Sequence, residues 1–262
     1  MRARYKLIGD VALVRLRSDD DPDEVVRRLT GKLASLRAIL AYEGVTGELR
    51  LPKVRLLYGE RPVVTTCVEN GVVYELDAEQ MMFSLGNKFE RARVAALVRD
   101  WEVVVDSFAG VGQFSVPIAV FGRPKRVHAI ELNPTAYEFL VRNVERNGVA
   151  ARVSTHLGDC REVVGSLEGV ADRVVLGYFP GTLRYLDVGL RFLKCCGGVI
   201  HLHDLVRKGA EEDYASEVVR AAREEDHTVR VLRMGRVKSY SAKWDHVILD
   251  LFCLPMRSPS TR

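Results

Sequence analysis

Three acidic side chains fall at the ends of predicted strands, and they are the residues best suited to bind a nucleoside. Asp106 follows the run EVVV, Glu131 ends the run AIE, and Asp159 follows HLG. Because the carboxyl ends of parallel strands meet at one edge of a sheet, the three carboxylates are predicted to lie close together. Carboxylates at this edge accept hydrogen bonds from ribose hydroxyls and from an exocyclic amine. The sequence therefore predicts a nucleoside site, with Glu131 on the ribose and Asp159 on the adenine amino group.

Two glycines stand in the turn after the first of these strands. The stretch DSFAGVGQF places Gly110 and Gly112 before the next helix, where a ligand approaches the backbone and helix N–H groups are free. Glu131 follows Asp106 by 25 residues (131 minus 106), a spacing that also suits a nicotinamide dinucleotide. However, Ser115 stands where the third glycine of that fingerprint belongs, so the dinucleotide pattern is incomplete.

Polar residues before the first strand, and two histidines in a later one, are candidates for the substrate side. The stretch MMFSLGNKFERARV contains Ser84, Asn87 and Arg91 and is predicted to cross the mouth of the crevice. Helix capping by Ser84 or Asn87 is the alternative interpretation. In HLHD, His201 and His203 share one face of a strand. A metal site would need a third ligand that we do not identify in the sequence, so no metal is predicted.

The elements that would position these residues alternate strictly between strand and helix after residue 86. This order predicts an α/β fold, a doubly wound parallel sheet of Rossmann-like type, for residues 87–262, closing with two strands joined by a loop. Residues 1–86 are predicted to form a small α+β domain. It has a strand over 8–16, a helix over 18–40, further short strands, and a hairpin turn at ENG, residues 69–71.

The composition limits the partners and the compartment. Hydrophobic residues make up 47% of the 262 residues, which is enough for a core, and the net charge of +4 permits an anionic partner without requiring one. The excess of 30 Arg over 9 Lys favours phosphate binding and equally suits a GC-rich or heat-adapted genome. An odd number of cysteines without zinc spacing disfavours a secreted framework. With no long apolar run or signal peptide, we predict a cytoplasmic protein without membrane contact, and a disordered tail over 257–262.

These stretches together resemble two sister families of archaeal and eukaryotic enzymes that modify the guanosine immediately 3′ of the tRNA anticodon. DSFAGVGQFSVPIA and AIELNPTAYEFLVRN fit both families, and the resemblance runs from about residue 8 to residue 254. One sister is a tRNA guanine methyltransferase. The other is the wybutosine-synthesis aminocarboxypropyltransferase, which moves the 3-amino-3-carboxypropyl group of S-adenosyl-L-methionine to a carbon of the tricyclic wyosine base.

Two short stretches separate the sisters, and a third agrees with one of them. FSLGN, LGYFP and HLH resemble the aminocarboxypropyltransferases, whereas the methyltransferases usually carry Ser-Pro-Arg-Leu and an Asn-Leu-Pro or Asn-Pro-Pro type motif at the first two places. Gly181 departs from the pattern, because the aminocarboxypropyltransferases often have Ser there. A role for that hydroxyl is therefore not transferred to this chain.

The resemblance implies S-adenosyl-L-methionine as co-substrate and tRNA as partner. We also expect a monomer, and catalysis by orientation without a general acid or base, because a sulfonium is already a good leaving group. The residues predicted to bind the cofactor, Cys160 through its backbone N–H, are Ser84, Arg91, Asp106, Phe108, Gly110, Gly112, Glu131, Asn133, Asp159 and Cys160. The predicted substrate pocket consists of Asn87, Leu176, Gly177, Tyr178, Pro180, His201 and His203.

Two alternatives stay open from the sequence. One is the sister methyltransferase acting at the same nucleotide. The other is an RNA-binding protein that keeps a cofactor pocket for stability, which the complete set of acidic strand ends disfavours. Binding of S-adenosyl-L-methionine without tRNA, observed as a rise in melting temperature, distinguishes either enzyme from the RNA-binding protein.

Overall fold

The amino-terminal part is a four-stranded mixed sheet followed by a hairpin. In this computed structural model, which describes residues 4–256, the sheet has the order β1-β2-β3-β4. Its elements are β1 (Arg4–Ile8), β2 (Val11–Arg15), α1 (Pro22–Lys32), β3 (Ala38–Thr46) and β4 (Leu51–Tyr58), and the hairpin consists of β5 (Val64–Glu69) and β6 (Val72–Asp77). The tail predicted to be disordered, 257–262, lies outside the described residues.

Two predicted elements of this part exist with shorter bounds. The predicted strand over 8–16 is β2, which begins only at Val11, because Gly9, at a φ of 54°, turns the chain after Ile8, the last residue of the antiparallel β1. The predicted helix over 18–40 ends at Lys32, and the apolar residues beyond it belong to β3. Ala38, Ile39 and Leu40 are fully buried in the sheet, and a short apolar run of this kind has no period that distinguishes a strand from a helix.

The carboxy-terminal part is a seven-stranded sheet that confirms the predicted doubly wound α/β fold. The order across the sheet is β12-β13-β11-β10-β7-β8-β9, and only β13 pairs antiparallel with its neighbours among the described strands. The strands are β7 (Val103–Asp106), β8 (Arg126–Glu131), β9 (Val153–Leu157), β10 (Arg173–Leu176), β11 (Gly198–Arg207), β12 (His227–Ser239) and β13 (Trp244–Pro255). The order reverses between β7 and β10, and ligands bind at such a switch point.

Helices cover both faces of this sheet. They are α2 (Lys88–Leu97), α3 (Ser115–Pro117, continued by a π-helical turn over Ile118–Gly122), α4 (Pro134–Arg146), α5 (Cys160–Leu167), α6 (Leu186–Phe192, preceded by a 3₁₀ turn over Thr182–Tyr185) and α7 (Glu211–Glu224). Val104 of β7 packs in one core cluster with α2 to α4, and the adjacent Val105 packs in another with α5 to α7. Successive residues of a strand face opposite sides, so the two clusters are the two layers of one domain.

The β5–β6 hairpin packs into the core of the seven-stranded part. Its turn at Asn70 and Gly71 has positive φ at both residues, which confirms the predicted hairpin. Asn147, the residue that caps the end of α4, accepts from the backbone N–H of Val73 and donates to its carbonyl oxygen, at 2.9 and 2.7 Å. Asn143 makes the same pair of bonds to Glu75, at 2.7 and 3.0 Å. The division of the chain at residues 86 and 87 stays a prediction. The hairpin precedes this division in the sequence and bonds to residues that follow it.

Candidate active site

A cavity of about 960 Å³ lies at the carboxyl ends of the parallel strands. Its floor includes the turn after β7 and the ends of β8 and β9, and its roof includes Tyr42 from β3 and Lys238 from β12. Both parts of the chain therefore enclose the same space. A concave site at a topological switch point is the expected place for a nucleoside ligand in this class of sheet.

The glycine turn after β7 forms one end of the cavity. A Cβ at Gly110 would meet no described atom within 4 Å, whereas a Cβ at Gly112 would lie 2.7 Å from Cγ2 of Val116. Both residues have positive φ, 56° and 92°, which glycine adopts at little cost. Gly112 is therefore required by packing. Gly110 leaves room for a ligand against the backbone, as the sequence predicts.

Asp106 fastens this turn to the following helix. Its Oδ2 accepts hydrogen bonds from the backbone N–H of Ser115 at 3.1 Å and from the Ser115 hydroxyl at 2.6 Å. Burial raises the pKa of Asp106 to about 6, and the bonds from Ser115 oppose that rise. Asp106 lines the cavity, and the structure gives it a positioning role at the turn. Ser115, which stands in place of the third glycine of the dinucleotide fingerprint, supplies both of these hydrogen bonds to the Asp106 carboxylate.

Glu131 stands where the sequence predicts, at the end of β8 and in the cavity wall. Its Oε2 accepts from the backbone N–H of Gly110 at 2.7 Å, and its Oε1 accepts from that of Asn133 at 2.8 Å. Burial raises its pKa, and the two backbone donors lower it. Each carboxylate oxygen keeps a second lone pair, which fits a ribose diol. Asn133, also in the wall, caps α4 by accepting from the N–H of Thr135 at 3.0 Å.

Asp159 and Cys160 begin α5 at the third strand end. Asp159 caps the helix by accepting from the backbone N–H of Arg161 at 2.8 Å, and it also pairs with the Arg161 guanidinium. These hydrogen bonds lower the pKa of Asp159. Burial raises the pKa of the Cys160 thiol to about 12, so the thiol is neutral and unreactive. Contact with a ligand through the Cys160 backbone N–H stays a prediction, as does the adenine contact of Asp159, which would share that carboxylate with Arg161.

Aromatic rings form an apolar part of the wall. Phe108 lies 5.3 Å from the ring of Tyr178 and 4.9 Å from that of Tyr185, measured between centroids. Arg184 stacks over both tyrosine rings, at 4.8 and 5.1 Å. Phe108 and Tyr178 were predicted from the sequence, and Tyr185 was not. Ring faces of this kind accommodate a flat heteroaromatic ligand.

Arg91 and Ser84 lie on the opposite wall. Arg91 is buried and holds Glu69 of β5 by two bonds, at 2.7 and 2.6 Å, while its Nη2 also donates to the Ser84 carbonyl at 2.9 Å. The Ser84 hydroxyl lies 3.3 Å from Nζ of Lys238. Both predicted residues line the cavity. The ion pair with Glu69 was not predicted, because the two residues lie on different elements and face each other only in the folded chain.

Two amide groups in this wall have unused hydrogen-bonding atoms. Asn87 precedes α2, yet its side chain makes no capping bond among the described residues, and its Oδ1 is buried there without a partner. Gln113 accepts from the Ser84 N–H at 3.0 Å, while its Nε2 is buried without a partner in the described part of the chain. Burial lowers the pKa of the nearby Lys238 to about 8, with help from Lys6 and Arg91. This wall, made of Ser84, Asn87, Arg91, Gln113 and Lys238, is called the polar wall below.

Three residues of the predicted substrate pocket do not line the cavity. Leu176 is fully buried in the core of the α5–α7 side, and Pro180 stands beyond the loop residues that reach the cavity. Gly177 and Tyr178 do line it, as does Phe179, which was not predicted. The LGYFP stretch therefore contributes through its middle residues, since Leu176 is still inside β10.

His201 is the third residue that does not line the cavity, because it lies in a buried charged network below the site. Its Nε2 is 2.7 Å from Nη1 of Arg173, so it accepts that hydrogen bond, and its Nδ1 donates to Asp250 at 2.5 Å. Arg173 also holds Glu102 at 2.7 and 2.8 Å, and Arg93 holds Asp250 at 2.7 and 3.0 Å. The predicted substrate role of His201 is wrong. His201 and His203 lie on the same face of β11, but His201 lies further from the end of the strand that borders the cavity.

His203, one pleat further along β11, does line the cavity. Its ring packs 5.1 Å from that of Phe114, and its Nδ1 lies 3.2 Å from Nε2 of His246 on β13. Among residues 4–256, no group of three or more His, Cys, Asp or Glu side chains is arranged to hold a metal ion. Within the same residues, no helix is long and apolar enough to cross a membrane.

The fold and the site define a class I, Rossmann-like nucleoside-binding transferase. A glycine turn, the Glu131 carboxylate at the end of β8, an aromatic wall and a polar wall with two cationic side chains surround one cavity. The model of the TRM5/TYW2 methyltransferase domain family matches residues 65–232, and the chain belongs to this family.

Relatives with described activities and solved structures agree with this assignment. The chain is 43% identical, over 79% of its length and 80% of the relative's, to the tRNA(Phe) (4-demethylwyosine(37)-C(7)) aminocarboxypropyltransferase of Methanocaldococcus jannaschii. It superposes on P. horikoshii TYW2 in complex with MeSAdo with a TM-score of 0.84 and 35% identity, covering 96% of this chain and 90% of that one. The M. jannaschii tRNA m1G37 methyltransferase gives 0.81 and 28%, covering 96% and 72%.

Proposed function

We propose that the protein transfers the 3-amino-3-carboxypropyl group of S-adenosyl-L-methionine to a ring carbon of the tricyclic wyosine precursor next to the anticodon of tRNA(Phe), releasing methylthioadenosine. The family and the activity named for the M. jannaschii relative support this proposal. The bound sulfonium supplies three carbons open to attack and a thioether leaving group. The group that is transferred is therefore decided by which carbon the protein turns toward the acceptor.

The polar wall is the observation that carries the choice of group. An aminocarboxypropyl transfer needs partners for the amine and carboxylate of the methionine tail on the substrate side of the cavity. The Asn87 Oδ1 acceptor suits the amine, and the Gln113 Nε2 donor suits the carboxylate. Lys238 adds positive charge beside them. Buried polar atoms rarely lack partners in a native protein, so an unused acceptor and donor in one cavity wall fit a ligand that supplies both.

The other residues of the cavity orient the reactants. Glu131 is placed to hold the ribose, and the aromatic rings of Phe108 and Tyr178 limit the positions open to flat bases. Placing two reactants at the correct distance and angle supplies a large part of such an acceleration. Arg4, Lys6, Arg15 and Arg50 also line the cavity, and these charges suit RNA phosphates. The proposal includes binding of the anticodon arm by a cytoplasmic monomer.

The transferred group is tested directly with labelled cofactor. The protein is incubated with tRNA that carries the tricyclic precursor and with S-adenosyl-L-methionine labelled either on the methyl group or on the carboxyl group. We expect only the carboxyl label in the tRNA, with methylthioadenosine released. Methyl label in the tRNA, with S-adenosylhomocysteine as by-product, would instead make the protein a methyltransferase like the m1G37 relative.

Glu131→Ala is expected to weaken binding of methylthioadenosine by about 1 to 3 kcal/mol, because charge-assisted hydrogen bonds to the ribose are lost. Isothermal calorimetry on the folded variant measures the change. Glu138→Ala, an exposed acidic residue on α4, is the control and should bind normally. Unchanged affinity in Glu131→Ala would remove the ribose role from this residue.

A further inference from the structure

Two buried histidines under the cavity form a pair whose outer nitrogens are unused. His203 and His246 are 1% and 0% exposed, and Nδ1 of His203 lies 3.2 Å from Nε2 of His246. Within the described chain, neither Nε2 of His203 nor Nδ1 of His246 has a hydrogen-bond partner. When His203 donates its Nδ1 proton to Nε2 of His246, Nε2 of His203 keeps a lone pair, and the neutral His246 carries its own proton on Nδ1. A proton that enters at Nε2 of His203 can then displace the shared proton onto His246.

One member of the pair lines the cavity in which the acceptor base is proposed to bind. His203 lines the cavity together with Gln113, Phe114 and Lys238. Because Nδ1 of His203 faces His246, Nε2 is the nitrogen left for a molecule in the cavity. Behind the pair, the ring of Phe179 lies 4.4 Å from that of His246. An aromatic neighbour gives the second imidazole no competing hydrogen bond, so the pair stays available for the cavity.

The proposed reaction releases a proton for which the orientation mechanism names no acceptor. The electron pair of the ring carbon forms the new bond to the propyl carbon, and the carbon–sulfur bond breaks with its electrons left on the thioether sulfur. The alkylated ring carbon still carries its hydrogen and the base is cationic. Loss of that hydrogen as a proton returns the C–H electron pair to the ring and restores aromaticity. A group within hydrogen-bond distance of the carbon has to receive the proton.

We propose that His203 Nε2 receives this proton and that His246 shares the resulting charge. This inference rests on the proposed transfer to a ring carbon, because methylation of a ring nitrogen would present no C–H bond. His203 passes its Nδ1 proton to Nε2 of His246, so that the pair holds one additional proton until product leaves and water enters the cavity. It supplies the general base that the sequence does not predict.

The charge balance of the cavity favours this acceptor. Before transfer, the cavity contains a sulfonium cation, and an already charged imidazolium would repel it. Burial lowers the pKa of His203 well below its usual value, and the repulsion that a second charged ring at His246 would exert lowers it further, so the imidazole is neutral near neutral pH. After transfer, the thioether is neutral and one positive charge is on the imidazole pair. The number of charges in the cavity is the same before and after the reaction. The cationic base is a strong carbon acid, so even a weak acceptor suffices.

The test replaces each histidine by glutamine and follows the acceptor hydrogen. Catalysis by a positioned base is typically worth about 10²- to 10⁴-fold, and we expect His203→Gln to lower kcat by an amount in that range. The affinity for methylthioadenosine, measured by calorimetry, should not change. With acceptor tRNA deuterated at the reacting carbon, the wild-type rate should show an isotope effect near unity. His203→Gln should raise it clearly, since proton removal becomes rate-limiting.

His246→Gln keeps a hydrogen bond to His203 but cannot carry the proton onward, so it should also raise the isotope effect, with a smaller loss of rate. The matched control is His156→Gln, because His156 forms a second histidine pair with His128, at 3.1 Å, away from the cavity lining. It should leave the rate and the isotope effect at wild-type values.

Two outcomes would overturn the proposal, and they are distinguishable. The first is that the wild type transfers the carboxyl label while His203→Gln and His246→Gln keep normal rates, or have reduced rates with an unchanged isotope effect. This result rejects the role of the histidine pair alone. Methyl label transferred by the wild type rejects the proposed function and the pair with it. A variant that still binds methylthioadenosine and rises in melting temperature with it is folded, so its rate can be interpreted.

Discussion

Arg173→Met is expected to lower the free energy of unfolding by about 3 to 5 kcal/mol, which is the usual effect of removing one member of a buried ion pair. The guanidinium bonds Glu102 twice and His201 once, and the side chains of Arg173 and Glu102 are 8% and 6% exposed. Methionine fills similar space but leaves the Glu102 carboxylate buried without its countercharge. Equilibrium urea unfolding measures the change.

Arg191→Met is the matched control for this prediction. Arg191 pairs with Glu168 at 3.2 Å, but both side chains are about half exposed. Exposed pairs contribute about 0 to 1 kcal/mol, so this variant should unfold almost as the wild type does. Equal, small losses in both variants would mean that the buried network is not needed for stability and only occupies the space below the site.

Lys238→Met is expected to weaken S-adenosyl-L-methionine binding by about 1.5 to 3 kcal/mol, the value of a hydrogen bond to a charged group, while methylthioadenosine binds as before. The difference follows from the ligands, because only the former has the tail that the polar wall is proposed to hold. Lys238 lies 3.3 Å from the Ser84 hydroxyl inside the cavity. Calorimetry with both ligands measures it, and Lys243→Met, exposed in the loop after β12, is the control.

Because of Lys238, we expect the affinity for S-adenosyl-L-methionine to depend on pH, in a direction set by the charge of the lysine. Burial lowers the pKa of Lys238 to about 8, so in the free protein the ammonium is present below pH 8 and is lost above it. Affinity for the carboxylate-bearing ligand should therefore fall as the pH rises through about 8, relative to methylthioadenosine. The variant loses this part of the dependence, and the ionisation of the ligand's own amine remains in both proteins. Equal losses for the two ligands would place the methionine tail elsewhere.

Local patterns in the sequence predicted the floor of the site well. The glycine turn, Glu131 and Asp159 follow strands of a parallel sheet, and the topology of such a sheet brings its carboxyl ends together. The same reasoning worked for the β5–β6 hairpin, since Asn70 and Gly71 are residues that tolerate positive φ. In these cases the relevant physics acts within a few residues of the chain or follows from the strand order.

The polar wall could not be predicted in the same way. Lys238 lies near the end of β12, the edge strand beside β13, and it reaches the cavity only in the folded sheet. Gln113 is one of several polar residues in its loop, and its hydrogen bond with Ser84 joins two distant parts of the sequence. His201 and His203 have the same strand face and similar burial, and only their depth relative to the end of β11 separates an ion-network residue from a cavity residue. Distances of this kind depend on tertiary packing.

Asn143 in α4 and Asn147 at its C-terminal end close one edge of the hairpin against pairing with another molecule. An open strand edge presents N–H and C=O groups that any extended segment of another chain can pair with, and two-stranded hairpins have two such edges. Along β6, the N–H and C=O groups of Val73 and Glu75 are already bonded to Asn143 and Asn147. The helix thus occupies the place of a third strand by side chains alone. This side of the hairpin is closed to intermolecular β-pairing, which protects the folded chain from edge-to-edge aggregation.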